Sequence, residues 1–166
     1  MLADHPNLPK HNPNATVSSI SDWNSLDSTV TEIIIDNGVS ESGLTELDLT
    51  RFSQLKRLIV GDHCFAYVNE LKLIGMNELE SVVIGENSFT QHKNYYGSDP
   101  NRHFYLKNCP KLKSLKMGRY SFSDYSVIEI ETVNALEVIE MGAVGQLGYS
   151  FYYASLELKS IQEESD

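Results

Sequence analysis

Apolar residues recur along the chain in two short patterns that alternate with each other. The first has the form L-x-x-L-x-L-G, with Val, Ile or Met at some apolar places, and it occupies residues 55–61, 79–85, 112–118 and 136–142. The second is L-x-x-L-x-L or a shortened version of it, at residues 44–49, 68–73, 104–106, 128–130 and 156–158. Both alternate apolar and polar residues with a period of two, which predicts β-strands that bury one face.

The copies of the first pattern are nearly evenly spaced. Counting a degenerate first copy, they begin at residues 30, 55, 79, 112 and 136. Such self-similarity indicates repeats that stack, so that equivalent strands pair in parallel about 4.8 Å apart. We therefore predict a mainly-β solenoid of about five coils over residues 20–161, with two short parallel strands per coil, which is stable only when the coils are stacked.

Two residue types mark the bend after the first strand of a coil. A glycine closes the first pattern in four copies, which indicates either a positive φ or a close approach of two backbones. A phenylalanine follows ten residues after the opening leucine in three copies, at Phe65, Phe89 and Phe122. We expect these three rings to stack inside the solenoid.

The two ends of the predicted solenoid differ. Residues 1–19 read as a polar amino-terminal arm, and apolar residues at helical spacing behind Ser19 predict a short capping turn over residues 20–29. No comparable cover follows the last coil, which ends in an acidic tail at residues 162–166. An open last coil predicts either further repeats in the native chain or end-to-end self-association through that coil.

Charge and composition exclude some partners. The formal net charge of −10 argues against nucleic acid or an anionic membrane surface as the main partner. No apolar run is long enough for membrane insertion or for a secretory signal, and the compartment is left open. The two cysteines, Cys64 and Cys109, lack metal or redox spacing and are interpreted as core residues, so no cofactor is predicted.

One repeat matches a known consensus closely. The sequence LESVVIGENSF at residues 79–89 fits the leucine-rich repeat form L-x-x-L-x-L-x-x-N-x-L, and copies in the same register cover roughly residues 30–161. The chain thus resembles the irregular, BspA-like leucine-rich repeat proteins. It departs from the commonest form where His63 and Tyr120 replace the asparagine. The resemblance implies a role in protein interaction or adhesion, often at a surface.

Strand parity predicts which side chains face outward. In the first sheet it gives one outward column, with an apolar amino-terminal half, consisting of Ile34, Ile59, Val83, Lys116 and Glu140. The apolar half is a candidate partner patch, although β-branched residues also suit strand surfaces in general. In the second sheet the matching column is charged and solvated apart from Tyr105, which is a candidate partner-binding residue, and consists of Asp48, Lys72, Tyr105, Glu129 and Glu157.

The third interval between repeats is about nine residues longer than the others. The extra residues lie within 91–100, a predicted loop insertion that contains Tyr95 and Tyr96. Tyrosines on a loop above a rigid scaffold are typical of recognition sites, whereas a tolerated surface insertion is the alternative. Histidines in and beside the loop match no standard metal spacing, so no metal site is predicted.

These features favour a binding protein over an enzyme. The chain has no phosphate-binding loop, nucleophile elbow or zinc signature. A polysaccharide-acting enzyme would need paired carboxylates, for which only Glu129 and Glu157 are candidates. We predict a non-catalytic protein-binding module. One version of this hypothesis makes it part of a larger surface or adhesion protein. A carbohydrate-binding or adhesive module and a purely structural repeat segment are the alternatives.

Overall fold

The chain folds mainly into β-strands. The computed structural model describes residues 13–91, 99–142 and 155–159, and for residues 155–158 it describes the backbone alone. The described part contains one five-residue helix and eleven strands, which confirms the predicted mainly-β class.

The strands form two sheets in which every pairing is parallel. In spatial order the first sheet consists of β1 (Asn14–Val17), β2 (Glu32–Ile35), β4 (Arg57–Val60), β6 (Ser81–Ile84), β8 (Ser114–Met117) and β10 (Val138–Met141). The second consists of β3 (Glu46–Asp48), β5 (Glu70–Ile74), β7 (Asp99–Lys107), β9 (Tyr125–Glu131) and β11 (Ser155–Lys159). From β2 onward the chain alternates between the two sheets.

Equivalent residues of successive repeats lie side by side. In the first sheet Leu58 of β4 pairs with Ile33 of β2 and with Val82 of β6. In the second, Leu71 of β5 pairs with Leu47 of β3. The predicted parallel pairing of equivalent strands is therefore confirmed, and each repeat gives one strand to each sheet.

The inward residues of both sheets share one core with the aromatic side chains of the bends. The predicted phenylalanine stack is present: ring centroids are 5.4 Å apart for Phe65 and Phe89 and 4.8 Å apart for Phe89 and Phe122. Trp23 extends the stack at the amino end, with its ring centroid 6.1 Å from that of Phe65. The stack links repeats that lie far apart in the sequence.

The amino-terminal region contributes more structure than the pattern predicted. Strand β1 pairs with β2, although it falls inside the segment assigned to a polar arm. A short helix, α1 (Ile20–Asn24), follows within the predicted capping turn. The hydroxyl of Ser19 accepts a hydrogen bond from the amide of Asp22 at 3.1 Å, which supplies the first turn with a cap. Within the described residues no helix is long and apolar enough to cross a membrane.

The glycines of the first pattern are required mainly by close backbone approach. A Cβ at Gly61 would lie 2.5 Å from Asn37 Oδ1, and one at Gly118 would lie 2.5 Å from the Glu86 backbone nitrogen. Only Gly142 of this set has a positive φ, at 50°. Of the two explanations that the sequence allowed, steric exclusion therefore applies to Gly61, Gly85 and Gly118.

We expect Gly118→Ala to lower the free energy of unfolding by about 1–3 kcal/mol, because the atoms that its Cβ meets belong to backbone and have little room to move. Gly43→Ala is the matched control, since a Cβ there meets nothing within 4 Å. It should leave stability unchanged or slightly raised, by restricting the unfolded chain. Urea unfolding of both variants measures the difference, and equal losses would contradict the steric explanation.

The left-handed backbone conformation is found two and four residues after Gly61, Gly85 and Gly118, and not at these glycines themselves. Positive φ values of 54° to 61° are found at non-glycine residues, namely His63, Phe65, Asn87, Phe89, Tyr120 and Phe122. Such a conformation costs about 1–2 kcal/mol per residue for an L-amino acid. Burial of the phenylalanine rings in the stack offsets this cost, and so the bend retains an aromatic residue where glycine would be less strained.

The first sheet ends at strand β10, whose side chains are exposed. Ile139 and Met141 are 38% and 45% exposed, whereas their partners in β8, Leu115 and Met117, are buried. This edge is the region that the predicted end-to-end self-association concerns, and that association stays a prediction.

Candidate functional site

The outward column of the first sheet is arranged as the sequence predicted. Ile34 pairs with Ile59, and Ile59 pairs with Val83, so three β-branched side chains lie next to one another across strands β2, β4 and β6. All three are partly exposed, while the inward residues beside them are buried. We call these three residues the aliphatic column.

Beyond Val83 the same column becomes charged. Lys116 pairs with Val83 across the strands and Glu140 follows it, and both are exposed. Their side chains form an ion pair of 3.6 Å. The aliphatic column therefore ends at a solvated ion pair on its carboxyl-terminal side.

A second ion pair lies beside the aliphatic column at the amino ends of its strands. Arg57 Nη1 is 2.9 Å from Glu32 Oε2 across β4 and β2. Surface pairs of this kind contribute little to stability, about 0–1 kcal/mol. Here the pair neutralises charge at one border of the column.

The opposite border, at the carboxyl ends of the strands, is acidic. Asp36 directly follows β2, and its Oδ2 accepts a hydrogen bond of 2.5 Å from the Ser18 hydroxyl. Asp62 follows β4 after one glycine, and its Oδ1 accepts from the Glu86 amide at 2.7 Å. Both carboxylates are thus positioned by neutral donors beside Ile34 and Ile59.

A shallow groove continues this border toward the later repeats. It is lined by the Lys116–Glu140 pair and by the Arg119–Glu86 pair, in which Arg119 Nη2 and Glu86 Oε2 are 3.8 Å apart. The residues that line it are Val83, Ile84, Glu86, Lys116, Met117, Gly118, Arg119, Glu140 and Gly142. The groove is open, both charged and apolar side chains line it, and the described side chains form no enclosed cavity there.

The outward face of the second sheet is a network of charges, with Tyr105 at its centre. The Tyr105 hydroxyl and His103 Nδ1 are hydrogen bonded at 2.7 Å, and the Lys107 ammonium lies 5.3 Å from the Tyr105 ring centroid. Burial, followed by the nearby Glu129 carboxylate, raises the pKa of Tyr105. This predicted contact residue therefore uses much of its ring and its hydroxyl in contacts within the chain.

The carboxylate pair considered for catalysis lies in register but is not isolated. Glu129 pairs with Glu157 through the backbones of β9 and β11. The Glu129 carboxylate is also 2.5 Å from the Lys107 ammonium, and this contact is the main cause that raises the pKa of Lys107. Glu129 is therefore already paired with a cation on the same face of the sheet.

Other reactive side chains are occupied or buried. His103 Nε2 is 2.9 Å from the Pro100 carbonyl oxygen, so both of its ring nitrogens have partners. Cys64 and Cys109 are buried free thiols, and desolvation raises the pKa of each. Among the described residues, no group of three or more His, Cys, Asp or Glu side chains is placed to hold a metal ion.

The predicted contact residues Tyr95 and Tyr96 lie outside the described residues, as does most of the insertion. Its two roots, Gln91 and Asp99, are described, and both bond to Asp124. Asp124 in turn forms a buried ion pair with Arg102, which sequence reasoning did not identify. The alternation of residues along the strand could have predicted its burial, because Arg102 lies on the same inward face of β7 as Phe104 and Leu106.

Comparison with known proteins gave no match, whether to family models, to curated proteins or to solved structures.

Proposed function

We propose that this chain is a non-catalytic protein-binding module, built as a leucine-rich repeat solenoid of about five coils of the irregular BspA-like type. The support for the repeat assignment is the shared L-x-x-L-x-L-G pattern, together with parallel pairing of equivalent residues from repeat to repeat. Stacked repeats offer flat, rigid surfaces, and binding is the usual use of such surfaces.

The aliphatic column is the proposed contact surface, and it is the single observation that carries the proposal. Three β-branched side chains in adjacent strands keep part of their apolar surface in water. Covering that surface releases free energy at about 25 cal/mol per Å² of apolar area. A partner that lies along the column would cover Ile34, Ile59 and Val83 together.

The charges around the column define the chemistry of this partner. Asp36 and Asp62 border the column on one side, and the Glu32–Arg57 pair on the other side is neutral overall. Electrostatic complementarity therefore favours a protein segment with aliphatic side chains along its centre and Lys or Arg facing the two aspartates. An acidic partner would be repelled by the same border.

The test is to replace the centre of the column by charge. A partner captured from source-cell extract is purified, and its affinity is measured for the wild type and for Ile59→Asp with Val83→Asp. We expect the double variant to bind at least about tenfold more weakly, a loss of about 1.4 kcal/mol. The matched control is Ile74→Asp with Val127→Asp, two partly exposed β-branched residues on the second sheet, which should bind within about twofold of wild type.

Both double variants must retain the wild-type unfolding midpoint for the comparison to count. Undiminished binding by the column variant would contradict the aliphatic column as the contact surface. Tyr95→Ala with Tyr96→Ala is measured in parallel, and a loss confined to that variant would place binding on the insertion instead. If no protein is captured, the purely structural segment and the carbohydrate-binding module become the better proposals.

A further inference from the structure

A fully buried arginine lies at the base of the insertion. Arg102 has no exposed surface, and its Nη1 donates a hydrogen bond of 2.9 Å to Asp124 Oδ2. Its guanidinium carbon is also 4.9 Å from the ring centroid of Tyr125. The Tyr125 hydroxyl donates to the Val68 carbonyl, which is shared with Arg102. The arginine is thus fixed on several sides within the core.

The same guanidinium binds the backbone of two bends. Its Nη2 donates to the carbonyl oxygens of Ala66 at 2.7 Å and Val68 at 3.1 Å, and more distantly to that of Phe89 at 3.3 Å. Ala66 and Val68 flank Tyr67, which is 38% exposed and is the largest exposed side chain of that bend. The buried arginine therefore fixes the backbone on both sides of Tyr67.

Asp124, on the other side of the ion pair, holds both roots of the insertion. Its Oδ2 accepts a hydrogen bond from the Gln91 amide at 3.2 Å, and its backbone carbonyl accepts from the Asp99 amide at 3.0 Å. The Thr90 hydroxyl next to Gln91 donates to the Tyr120 carbonyl and accepts from the Ser123 amide at 3.3 Å. One residue of the next repeat thus fixes the chain where it leaves the core and where it returns.

An ion pair with this geometry does more than fill space. Two apolar side chains of similar volume would pack a core as well, but they cannot direct hydrogen bonds to named carbonyls and amides. A guanidinium presents its donors in a fixed planar fork, so its partners are held at set angles as well as set distances. The side-chain hydrogen bonds of Arg102 end on Asp124, on the Tyr67 bend and on the Phe89 carbonyl, and Asp124 also bonds to both insertion roots.

We propose that Arg102 and Asp124 act as a positioning clamp, which joins the Tyr67 bend and the two roots of the insertion into one rigid edge of the molecule. The clamp fixes where the insertion leaves and re-enters the core. It also fixes the orientation of Tyr67 relative to that point. The clamp positions this edge whichever surface of the molecule binds a partner.

The test separates positioning from stability. Arg102→Met with Asp124→Leu replaces the clamp by apolar residues of similar volume, a change that is often neutral or stabilising for a buried ion pair. The matched control is Lys107→Met with Glu129→Leu, which removes a 2.5 Å ion pair between the same two strand regions on the exposed face. Hydrogen exchange at single amides is measured by NMR in the intact chain.

The Asp99 and Val68 amides report the insertion root and the Tyr67 bend. Both donate to backbone carbonyls, of Asp124 and Phe65, so the substitutions leave their direct acceptors in place. We expect their exchange to be at least about tenfold faster in the clamp variant, with the amides of Leu71 and Ile128 changed less than about twofold. The control variant should leave all four near wild type.

Arg102→Gln with Asp124→Asn is measured as well, because this neutral pair retains side-chain donors and acceptors, leaves no unpaired buried charge and is the milder change if the apolar double variant folds poorly. It should accelerate Asp99 exchange less than the apolar double variant does. Exchange at Asp99 and Val68 within about twofold of wild type in both variants would overturn the proposal. So would equal acceleration of every core amide, since that outcome means that the pair supports the whole fold without positioning this edge.

Discussion

Replacing Arg102 alone by methionine is expected to lower the free energy of unfolding by about 3–5 kcal/mol. Methionine fills much of the same volume, but it leaves the Asp124 carboxylate in the core, where only 3% of that residue is exposed. A buried charge that has lost its ionic partner keeps its desolvation penalty without the compensating attraction. Three backbone carbonyls also lose a donor. Chemical unfolding followed by circular dichroism measures the loss.

Arg57→Met is the natural comparison, since the Arg57–Glu32 pair has the same 2.9 Å separation as the Arg102–Asp124 pair. The Arg57 side chain is 55% exposed, and its replacement should change stability by no more than about 1 kcal/mol. Similar losses for both substitutions would contradict the interpretation that burial, rather than pairing distance, sets the cost. Adding Asp124→Leu to Arg102→Met should recover most of the lost stability.

The arrangement of the strands could be predicted because period-two alternation carries it. Once Leu58 and Val60 are assigned inward, Ile59 must face outward, and equal repeat spacing then places Ile59 beside Val83. The phenylalanine stack follows from the same spacing. These features depend on local periodicity, which the sequence displays directly.

The clamp could not be predicted on that basis, because its partners are brought together only by stacking. Arg102 and Asp124 are 22 residues apart, and neither residue type is expected inside a core. The alternation of inward and outward residues does place Arg102 inward, but an arginine near the start of a strand is expected to lie in solvent, where the strand begins. Only the packed repeats reveal the carboxylate and the carbonyls that accept its hydrogen bonds.

The reason for the glycines and the presence of strand β1 could not be predicted from the apolar pattern either. A regular spacing of glycines does not distinguish a positive φ from steric contact, and the contact with Glu86 that explains Gly118 comes from the preceding repeat. Strand β1 is four residues long, and only Ala15 and Val17 in it are apolar. Its place in the sheet comes from pairing with β2, which composition alone does not indicate.

Phe122→Ala is expected to lower the free energy of unfolding by about 3–5 kcal/mol, as for other large aromatic residues truncated in a core. The Phe122 ring is fully buried, stacked at 4.8 Å on Phe89 and at 5.0 Å on Phe104, and in edge contact at 5.0 Å with Tyr125. Alanine would leave a cavity at the point where the stack, the second sheet and the clamp meet. Its φ of 55° would stay strained without the burial that offsets it.

Tyr67→Ala is the control, because it removes an aromatic ring of similar size from a bend two repeats earlier, where the residue is 38% exposed. It should change stability by no more than about 0.5 kcal/mol, and denaturant midpoints at equal slope give both values. A loss below about 1 kcal/mol for Phe122→Ala would mean that neighbouring rings close the cavity. A large loss with an unchanged slope would instead establish that the aromatic stack unfolds together with both sheets, because the repeats share it as a common core.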